Sequence, residues 1–318
     1  MVSDSRGMKR SCAGRDEMTA AFDPQRDHNR LCCNATSPLR HPASGIARHS
    51  PIAESDAALN GRCLPVRILL INPNTTAEVT ALMARVLAPM LPPGVTLKPV
   101  TGRFGARYIA SRSAAAIAGH AALDALAEHG GDCDAVYLAC FGDPGLLALK
   151  ELAAVPVIGM AEASCIAAAK CAERFAIVTG GERWGPMLRE FVGTLGLGDR
   201  LAGIETVAPT GAEIARDPDG AIALLTQACR DAAARDGAGA VILGGAGLAG
   251  LAARIRPHLD LPVICSVEAG LAAVLAALRD PPPKPETGDL SAPAPIASIG
   301  LSERLAARLA EAGATPPS

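Results

Sequence analysis

Two apolar segments of this chain run into glycine-rich loops, and only the first loop begins with a cysteine. The first segment is AVYLACFGDPG at residues 135–145, with Cys140 where its apolar run ends. The second is AVILGGAGLAG at residues 240–250, and superposing the two copies places Gly245 on Cys140. A thiolate is an effective acid–base catalyst when backbone amides and a helix N-terminus lower its pKa. We expect the loop and the helix that follows it to lower the pKa of Cys140 in this way.

Two loops that face each other across a cleft can present groups to opposite faces of one carbon atom. Racemisation needs that arrangement, because one base removes the α-proton and a conjugate acid returns a proton to the other face. Small loop residues also leave backbone amides free to bind an enolate-like oxygen. The predicted substrate contacts from the two loops are Phe141, Gly142, Asp143, Gly244, Ala246 and Gly247. For Asp143 a second interpretation stays open, since an Asp-Pro pair is also a turn signal.

A strand-to-helix turn near the start of the folded region supplies a further candidate contact. VRILLIN at residues 66–72 is a continuous apolar run of the kind that forms a buried parallel strand. NPNTT follows it, and a helix is predicted from Ala77. Such a turn directs backbone N–H groups and side-chain amides to the carboxyl edge of the sheet, where small ligands bind. Asn74 and Thr75 are therefore candidate substrate contacts, with a plain helix cap as the alternative.

Strand-like and helix-like segments alternate along the chain, which indicates an α/β fold with parallel sheets. Together with the internal repeat, this predicts two pseudo-symmetric lobes, each a mainly parallel sheet flanked by helices, with an active-site cleft between them. The predicted boundaries are a disordered N-terminal extension at 1–65, lobe 1 with the Cys140 loop at 66–174, lobe 2 with the Gly245 loop at 175–279, and a Pro-rich linker with a C-terminal helix at 280–318. We allow for exchange of segments between the lobes.

Composition narrows the class of protein. The chain has 318 residues and a formal net charge of −2, so its charge gives no reason to expect nucleic acid or an anionic membrane as a partner. No apolar run approaches the ~18 residues of a membrane helix. Its ten cysteines include no CxxC pair and no Cys/His cluster with zinc-ligand spacing. We therefore expect reduced thiols, no metal site, a cytoplasmic location and a small-molecule partner, and we also expect a homo-oligomer.

Several of these motifs together carry a family resemblance. NPNTT, CFGDPGL, PVIGMAEAS, FAIVTGGERW and LGGAGLAGLA resemble the aspartate/glutamate/hydantoin racemase superfamily, and most of all its hydantoin and allantoin racemase branch. The resemblance covers about residues 66–278. It implies a cofactor-independent, metal-free isomerase of amino acids and their derivatives, with one catalytic cysteine in each lobe. The first cysteine maps to Cys140, and Asn74 maps to an asparagine that helps to seat the substrate.

This chain departs from the family pattern in its second lobe. Where the family reads LGCAG, the chain reads LGGAG at residues 243–247, so Gly245 replaces the second catalytic cysteine. The leading prediction is racemase-type proton transfer at the α-carbon of a hydantoin, allantoin, aspartate- or glutamate-like compound, with another second-face donor such as water. One alternative is one-cysteine lyase or decarboxylase chemistry, as in a decarboxylase of this superfamily whose single cysteine lies in the opposite lobe. The other is a non-catalytic binding or accessory protein of the hydrogenase-expression type.

Three other residues have competing interpretations. Cys265 aligns with Gly159 in the repeat, and a packed core cysteine is favoured over a substitute for the missing thiol. Glu162 marks the start of a predicted helix, where its charge suits the first turn, with support of the site as the alternative. Tyr108 follows a loop and either lines the cleft or packs in the core.

Overall fold

The computed structural model describes residues 65–207 and 217–312, and strands and helices alternate throughout these ranges, as predicted. The strands are β1 Val66–Asn72, β2 Val95–Thr101, β3 Ala135–Leu138, β4 Val157–Gly159, β5 Phe175–Gly180, β6 Leu201–Val207, β7 Ala240–Gly244 and β8 Val263–Cys265. The α-helices are α1 Ala77–Leu87, α2 Arg112–His129, α3 Leu146–Leu152, α4 Met160–Cys171, α5 Trp184–Thr194, α6 Pro218–Asp236, α7 Leu251–Ile255, α8 Ser266–Arg279 and α9 Glu303–Ala310. Of the predicted disordered extension at 1–65, only Pro65 lies within the described residues. Within these same ranges, no helix has both the length and the apolarity that crossing a membrane requires.

The described strands form two four-stranded parallel sheets with matching strand orders. The orders are β2-β1-β3-β4 and β6-β5-β7-β8. The registers correspond as well, because Ile68 pairs with Ala135 in the first sheet and Phe175 pairs with Ala240 in the second. This correspondence confirms the α/β fold with two pseudo-symmetric lobes. Since the paired strands are parallel, the loops after β1 and β3 meet at one edge of the first sheet, and those after β5 and β7 meet at one edge of the second.

The inner strands are buried along almost their whole length. Every residue of β3, β5 and β7 is buried, and Arg67 is the exposed exception in β1. Continuous apolar runs are typical of parallel strands that helices cover on both faces. The outer strands β2 and β6 are less buried, because Val95 is the one buried residue of β2 and β6 mixes buried with partly exposed positions. Burial of the apolar inner strands therefore fixes their position, and with it the position of the loops at their carboxyl ends.

The helices interlock the two lobes. α4 follows β4 of the first sheet but packs against β7 of the second, while α8 follows β8 of the second sheet but packs against β3 of the first. α4 and α8 also pack against each other. Tyr137 on β3 is fully buried, and its hydroxyl donates a 3.0 Å hydrogen bond to the carbonyl oxygen of Val267 in α8. Gly270 makes room for this ring, because a Cβ there would lie 2.2 Å from the Tyr137 hydroxyl oxygen. These contacts hold the two lobes in a fixed relation.

The C-terminal segment packs on the first lobe. Ser302 caps α9, and its hydroxyl also lies 2.6 Å from the carboxylate of Asp124. Asp124 accepts two further hydrogen bonds from Arg103, at 2.7 and 2.8 Å. In the Pro-rich segment, Lys284 donates to carbonyl oxygens of the last turn of α3. The segment after the second lobe is therefore tied back to the first.

Candidate active site

A cavity of ≈ 50 Å³ lies where loops at the carboxyl ends of the two sheets meet. Its lining comes from both lobes: Asn74, Val79, Arg107, Tyr108, Ile109, Cys140, Phe141, Thr179, Gly180, Trp184, Gly244, Gly245, Ala246, Gly247 and Leu248. Of the predicted site residues, the structure brings together Asn74, Cys140, Phe141, Gly244, Gly245, Ala246 and Gly247. It places Thr75, Gly142 and Asp143 outside this lining.

The two repeat loops begin with the same turn. In the first, the Asp143 amide donates to the carbonyl oxygen of Cys140 at 3.0 Å. In the second, the Leu248 amide donates to the carbonyl oxygen of Gly245 at 3.0 Å. Cys140 and Gly245 are therefore counterparts in structure as well as in sequence. At this position one loop brings a thiol to the cavity, and the other brings backbone alone.

Gly245 has a backbone conformation that favours glycine. Its φ of 140° lies in the region that L side chains rarely adopt, and its amide donates to Ser266 Oγ at 3.1 Å. Space alone does not exclude a side chain, because the nearest atom to a Cβ at this position is Leu248 Cγ at 3.6 Å. A side chain at Gly245 thus has room but strains the backbone.

Backbone N–H groups of the second loop are candidate donors to an oxyanion. Ala246–Leu248 forms a single turn of 3₁₀ helix, and the first amides of such a turn have no partner inside it. Ala246 and Gly247 provide these amides, and both residues line the cavity. Donors of this kind stabilise negative charge that develops on a carbonyl oxygen during reaction.

Asn74 is held through its side-chain oxygen, which leaves its amino group for a ligand. Oδ1 accepts hydrogen bonds from Asn72 Nδ2 at 3.0 Å and from the Thr76 amide at 2.9 Å. Because a backbone N–H only donates, the oxygen must face Thr76 and Nδ2 must face away from it. Thr75 is used differently, since its amide donates to the carbonyl oxygen of Ala106 at 3.1 Å. Asn74 can therefore offer a donor in the cavity, while Thr75 anchors the loop.

The thiol of Cys140 is in a different electrostatic state from the one expected. Cys140 is buried, with 7% of its surface exposed. Burial first, and the nearby Asp143 carboxyl second, raise the pKa of the thiol above its usual value. The expectation that the loop would lower the pKa of Cys140 was wrong, because removing the thiolate from water has the larger effect and raises the pKa. Near neutral pH, Cys140 is a protonated thiol.

Cys140 should therefore alkylate slowly at neutral pH. We expect iodoacetamide to modify it much more slowly than an exposed cysteine at pH 7, with the rate rising about tenfold per pH unit as the thiolate fraction grows. Mass spectrometry of peptides after timed labelling measures this, and Cys140→Ser confirms the assignment of the labelled peptide. Rapid labelling that is already complete and independent of pH near 7 would contradict the raised pKa.

Asp143 clamps the Cys140 loop to the start of α4. Its carboxylate accepts hydrogen bonds from the amides of Ala161 at 3.0 Å and Glu162 at 2.7 Å. Its φ of 47° is the one positive value at a non-glycine residue of the described ranges. Gly159 is needed for this contact, since a Cβ there would lie 2.2 Å from Asp143 Oδ2. The structure thus favours the turn-fixing interpretation of Asp143 over substrate contact.

Buried Asp143 should make stability depend on pH. Burial raises its pKa from 3.8 to about 8, against the opposing effect of the two amides. Between those values the folded state binds more protons than the unfolded state, so the free energy of unfolding falls as pH rises from about 4 to about 8.

Asp143→Asn should flatten this decline, because asparagine does not titrate. At pH 5 the variant should also be about 1–3 kcal/mol less stable, because the amino group of asparagine cannot accept the second amide hydrogen bond. Urea unfolding of both proteins at several pH values measures the two effects. An unchanged pH slope in Asp143→Asn would show that another group causes the dependence.

Glu162, Glu268 and Cys265 make structural contacts away from the cavity. Glu162 forms an ion pair with Lys150 at 2.5 Å. Glu268, which stands in the first turn of α8 as Glu162 does in α4, forms one with Arg256 at 2.8 Å. Neither glutamate lines the cavity. Cys265 is 3% exposed and also lies outside the lining, so the prediction of a packed core cysteine is confirmed.

The structure adds cavity residues that the sequence did not assign as substrate contacts: Val79, Arg107, Tyr108, Ile109, Thr179, Gly180, Trp184 and Leu248. Tyr108, for which two interpretations were open, lines the cavity, and its hydroxyl donates to the carbonyl oxygen of Gly180 in the other lobe at 3.0 Å. Trp184 covers Gly142, where a Cβ would lie 2.4 Å from the indole ring. The sequence offered one signal for these residues. FAIVTGGERW at 175–184 begins the second lobe in the way that the strand with INPNTT begins the first, so its turn should also lie at the carboxyl edge of a sheet.

Across the described ranges, no group of three or more His, Cys, Asp or Glu side chains is placed to hold a metal ion. The polar groups gathered at the cavity are instead a thiol, side-chain amide and guanidinium groups, hydroxyls and backbone amides.

This arrangement has counterparts among known proteins. The family model of the Asp/Glu/Hydantoin racemases matches residues 68–274. The hydantoin racemase of Paenarthrobacter aurescens is 35% identical over 206 residues, which are 64% of this chain and 87% of that protein. Allantoin racemase from Klebsiella pneumoniae has a TM-score of 0.71 at 33% identity, covering 76% of this chain and 98% of that chain. Allantoin racemase from Pseudomonas fluorescens has a TM-score of 0.71 at 28% identity, covering 74% and 100% of the two chains. This chain therefore belongs to the Asp/Glu/hydantoin racemase family.

Proposed function

We propose that this chain catalyses racemase-type proton transfer at the α-carbon of a small amino-acid derivative, without a cofactor and with Cys140 as the acid–base residue. The observation that carries the proposal is the place of Cys140 in a cavity that it shares with Asn74 and the second repeat loop. The relatives support this reaction class, since those proteins are named hydantoin racemase and allantoin racemase. Hydantoin, allantoin, aspartate and glutamate all have an α-hydrogen next to a carbonyl or carboxyl group, as this chemistry requires.

The first step is removal of the α-proton by the thiolate of Cys140. The Cα–H bond breaks, an S–H bond forms, and the electron pair moves into the neighbouring carbonyl to give an enolate. Asn74 Nδ2 and the amides of Ala246 and Gly247 are the donors available to the enolate oxygen. Because Cys140 is protonated near neutral pH, the rate of this step should rise as pH increases.

The second step decides the stereochemical outcome. Return of a proton from Cys140 to the same face restores the original configuration, with a solvent hydrogen in place of the original one. Inversion needs a proton from the side of Gly245, which carries no side chain. We expect solvent to supply the proton on that face. Exchange of the α-proton should therefore be faster than inversion.

One observation favours a second candidate, a one-cysteine lyase that removes carbon dioxide. Among the described residues that line the cavity, Cys140 is the single thiol, and burial keeps it protonated. In decarboxylation, the bond from the α-carbon to a carboxylate breaks, carbon dioxide leaves, and the electron pair forms an enolate. The Cys140 thiol then gives its proton to the α-carbon and regains one from water. This reaction needs no second thiol.

Deuterium exchange tests the proposal. Separate enantiomers of a 5-substituted hydantoin, allantoin, aspartate and glutamate are incubated with the protein in deuterated water, while proton NMR and optical rotation are followed together. We expect deuterium at the α-carbon of at least one compound, entering faster than the configuration inverts. Absence of exchange in all of them, with carbon dioxide released from a 2-substituted malonate, would replace the proposal by the lyase.

A further inference from the structure

The charged side chain in the cavity lining is positive. Among the described residues that line the cavity, Arg107 alone has a charged side chain, and no Asp or Glu is present. The other polar groups that face a ligand there include the N–H donors of Asn74, Ala246 and Gly247. A concave site with one guanidinium, several N–H donors and no carboxylate is complementary to an anion.

The backbone around Arg107 is fixed to both lobes. Thr76 Oγ1 donates to the carbonyl oxygen of Arg107 at 2.7 Å, which ties the residue to the loop that carries Asn74. The next residue, Tyr108, reaches across to the other lobe through its hydrogen bond to the carbonyl oxygen of Gly180. Arg107 is therefore held at the point where the two lobes meet over the cavity.

The guanidinium of Arg107 is available, unlike those of its neighbours. Arg103 pairs with Asp124 at 2.7 Å, and Arg112 pairs with Glu190 at 2.5 Å. Within residues 65–207 and 217–312, the side chain of Arg107 takes part in no ion pair and no hydrogen bond, and the residue is exposed. Two of these three arginines therefore have structural partners, while the one that lines the cavity has a charge free for a ligand.

We propose that the substrate carries a carboxylate and that Arg107 selects it. This inference rests on the proton-transfer function proposed above and narrows its substrate class to α-carbon acids with an anionic group, which leaves out neutral hydantoins. A guanidinium can bind a carboxylate through two parallel hydrogen bonds, which gives orientation as well as attraction. A carboxylate is also a compact anion, which suits a cavity of ≈ 50 Å³. Arg107 holds the anionic group at the cavity mouth and thereby orients the α-carbon toward Cys140.

Binding measurements on a variant without turnover test this. Cys140→Ser protein is titrated by calorimetry with two pairs of ligands matched in size: hydantoin-5-acetate and its amide, and the monoamide of methylmalonate and its diamide. We expect the carboxylate of at least one pair to bind about ten- to a hundredfold more tightly than its amide. Adding Arg107→Gln should abolish this preference and leave the affinity for the amide nearly unchanged.

Two further variants control for charge and folding. Arg107→Lys should keep part of the preference, because lysine retains the charge but not the two parallel hydrogen bonds. Arg85→Gln, an exposed arginine of α1 outside the cavity lining, removes the same charge and should keep the full preference. Thermal unfolding of each variant confirms that it is folded at the temperature of the titration.

The result that would overturn the inference is distinct from failure of the proposed function. Equal affinity for acid and amide in both pairs, including no detectable binding of either, overturns it, as does a preference that survives Arg107→Gln. Proton transfer is tested separately with the wild-type protein, through exchange that depends on Cys140. Cys140-dependent exchange confined to neutral hydantoins would keep the function and reject the role of Arg107.

Discussion

Cys140→Ser is expected to lower the rate of α-proton exchange about a thousandfold. Serine is close to cysteine in size, but its hydroxyl is far less acidic than a thiol and supplies almost no base at accessible pH. The cavity should otherwise stay intact, because within the described part of the chain the Cys140 side chain makes no hydrogen bond that the substitution would break. Proton NMR in deuterated water measures the exchange, with the unfolding temperature measured alongside.

Two other cysteines provide matched controls for this substitution. Cys165 and Cys265 are buried, with 0% and 3% exposure, and neither lines the cavity. Serine at either position should cost stability, since it buries a hydroxyl, but exchange below the unfolding temperature should continue. Full exchange in Cys140→Ser, or an equal loss in Cys265→Ser, would mean that the Cys140 thiol is not the acid–base group.

Gly245→Cys is expected to increase inversion about a hundredfold relative to the wild-type protein. The substitution supplies a thiol in the second loop at the position that corresponds to Cys140, so both faces of the α-carbon gain a protein donor. The site has room for it, because the nearest neighbour of the new Cβ is 3.6 Å away. The φ of 140° makes the change strained, so we expect a loss of about 1–3 kcal/mol in the free energy of unfolding.

Gly245→Ala is the matched control for this prediction. It imposes the same backbone strain and adds a Cβ without a thiol, so it should share the loss of stability and show no gain in inversion. Chiral chromatography of the product over time gives the inversion rate, and urea unfolding gives the stability. A gain in both variants would point to loop rearrangement as the cause, and a gain in neither would mean that the thiol does not face the substrate.

Most of the fold could be predicted from the sequence because its signals are local. The inner strands are continuous apolar runs that end at turns containing glycine or proline, and the repeat relates one lobe to the other. The start of α4 was harder to predict from the sequence. The sequence predicts a helix from about Glu162, whereas α4 begins at Met160, since the carboxylate of Asp143 satisfies its first amides from another loop. A helix boundary set by a residue so far along the chain leaves no local pattern.

The site was predicted in part, and the missing part depends on contacts between the lobes. The repeat identified Cys140 and Gly245, and both line the cavity. The raised pKa of Cys140 follows from burial, which the pattern of residues around it could not show. Arg107 and Trp184 belong to segments that read as an ordinary loop and the start of a helix. Arg107 is placed by its contact with Thr76 in the same lobe, and Trp184 reaches the cavity because the interlocked helices bring the second lobe against the first.

The ratio of exchange to inversion at early times is the most direct test of a site with one catalytic thiol. A single enantiomer of each substrate that the protein exchanges is incubated in deuterated water, quenched early and separated by chiral chromatography, and the deuterium in each enantiomer is measured by mass spectrometry. One-thiol proton transfer predicts mainly deuterated substrate of unchanged configuration, and none in Cys140→Ser. Inversion that keeps pace with exchange in the wild-type protein, or exchange that persists in Cys140→Ser, would contradict it.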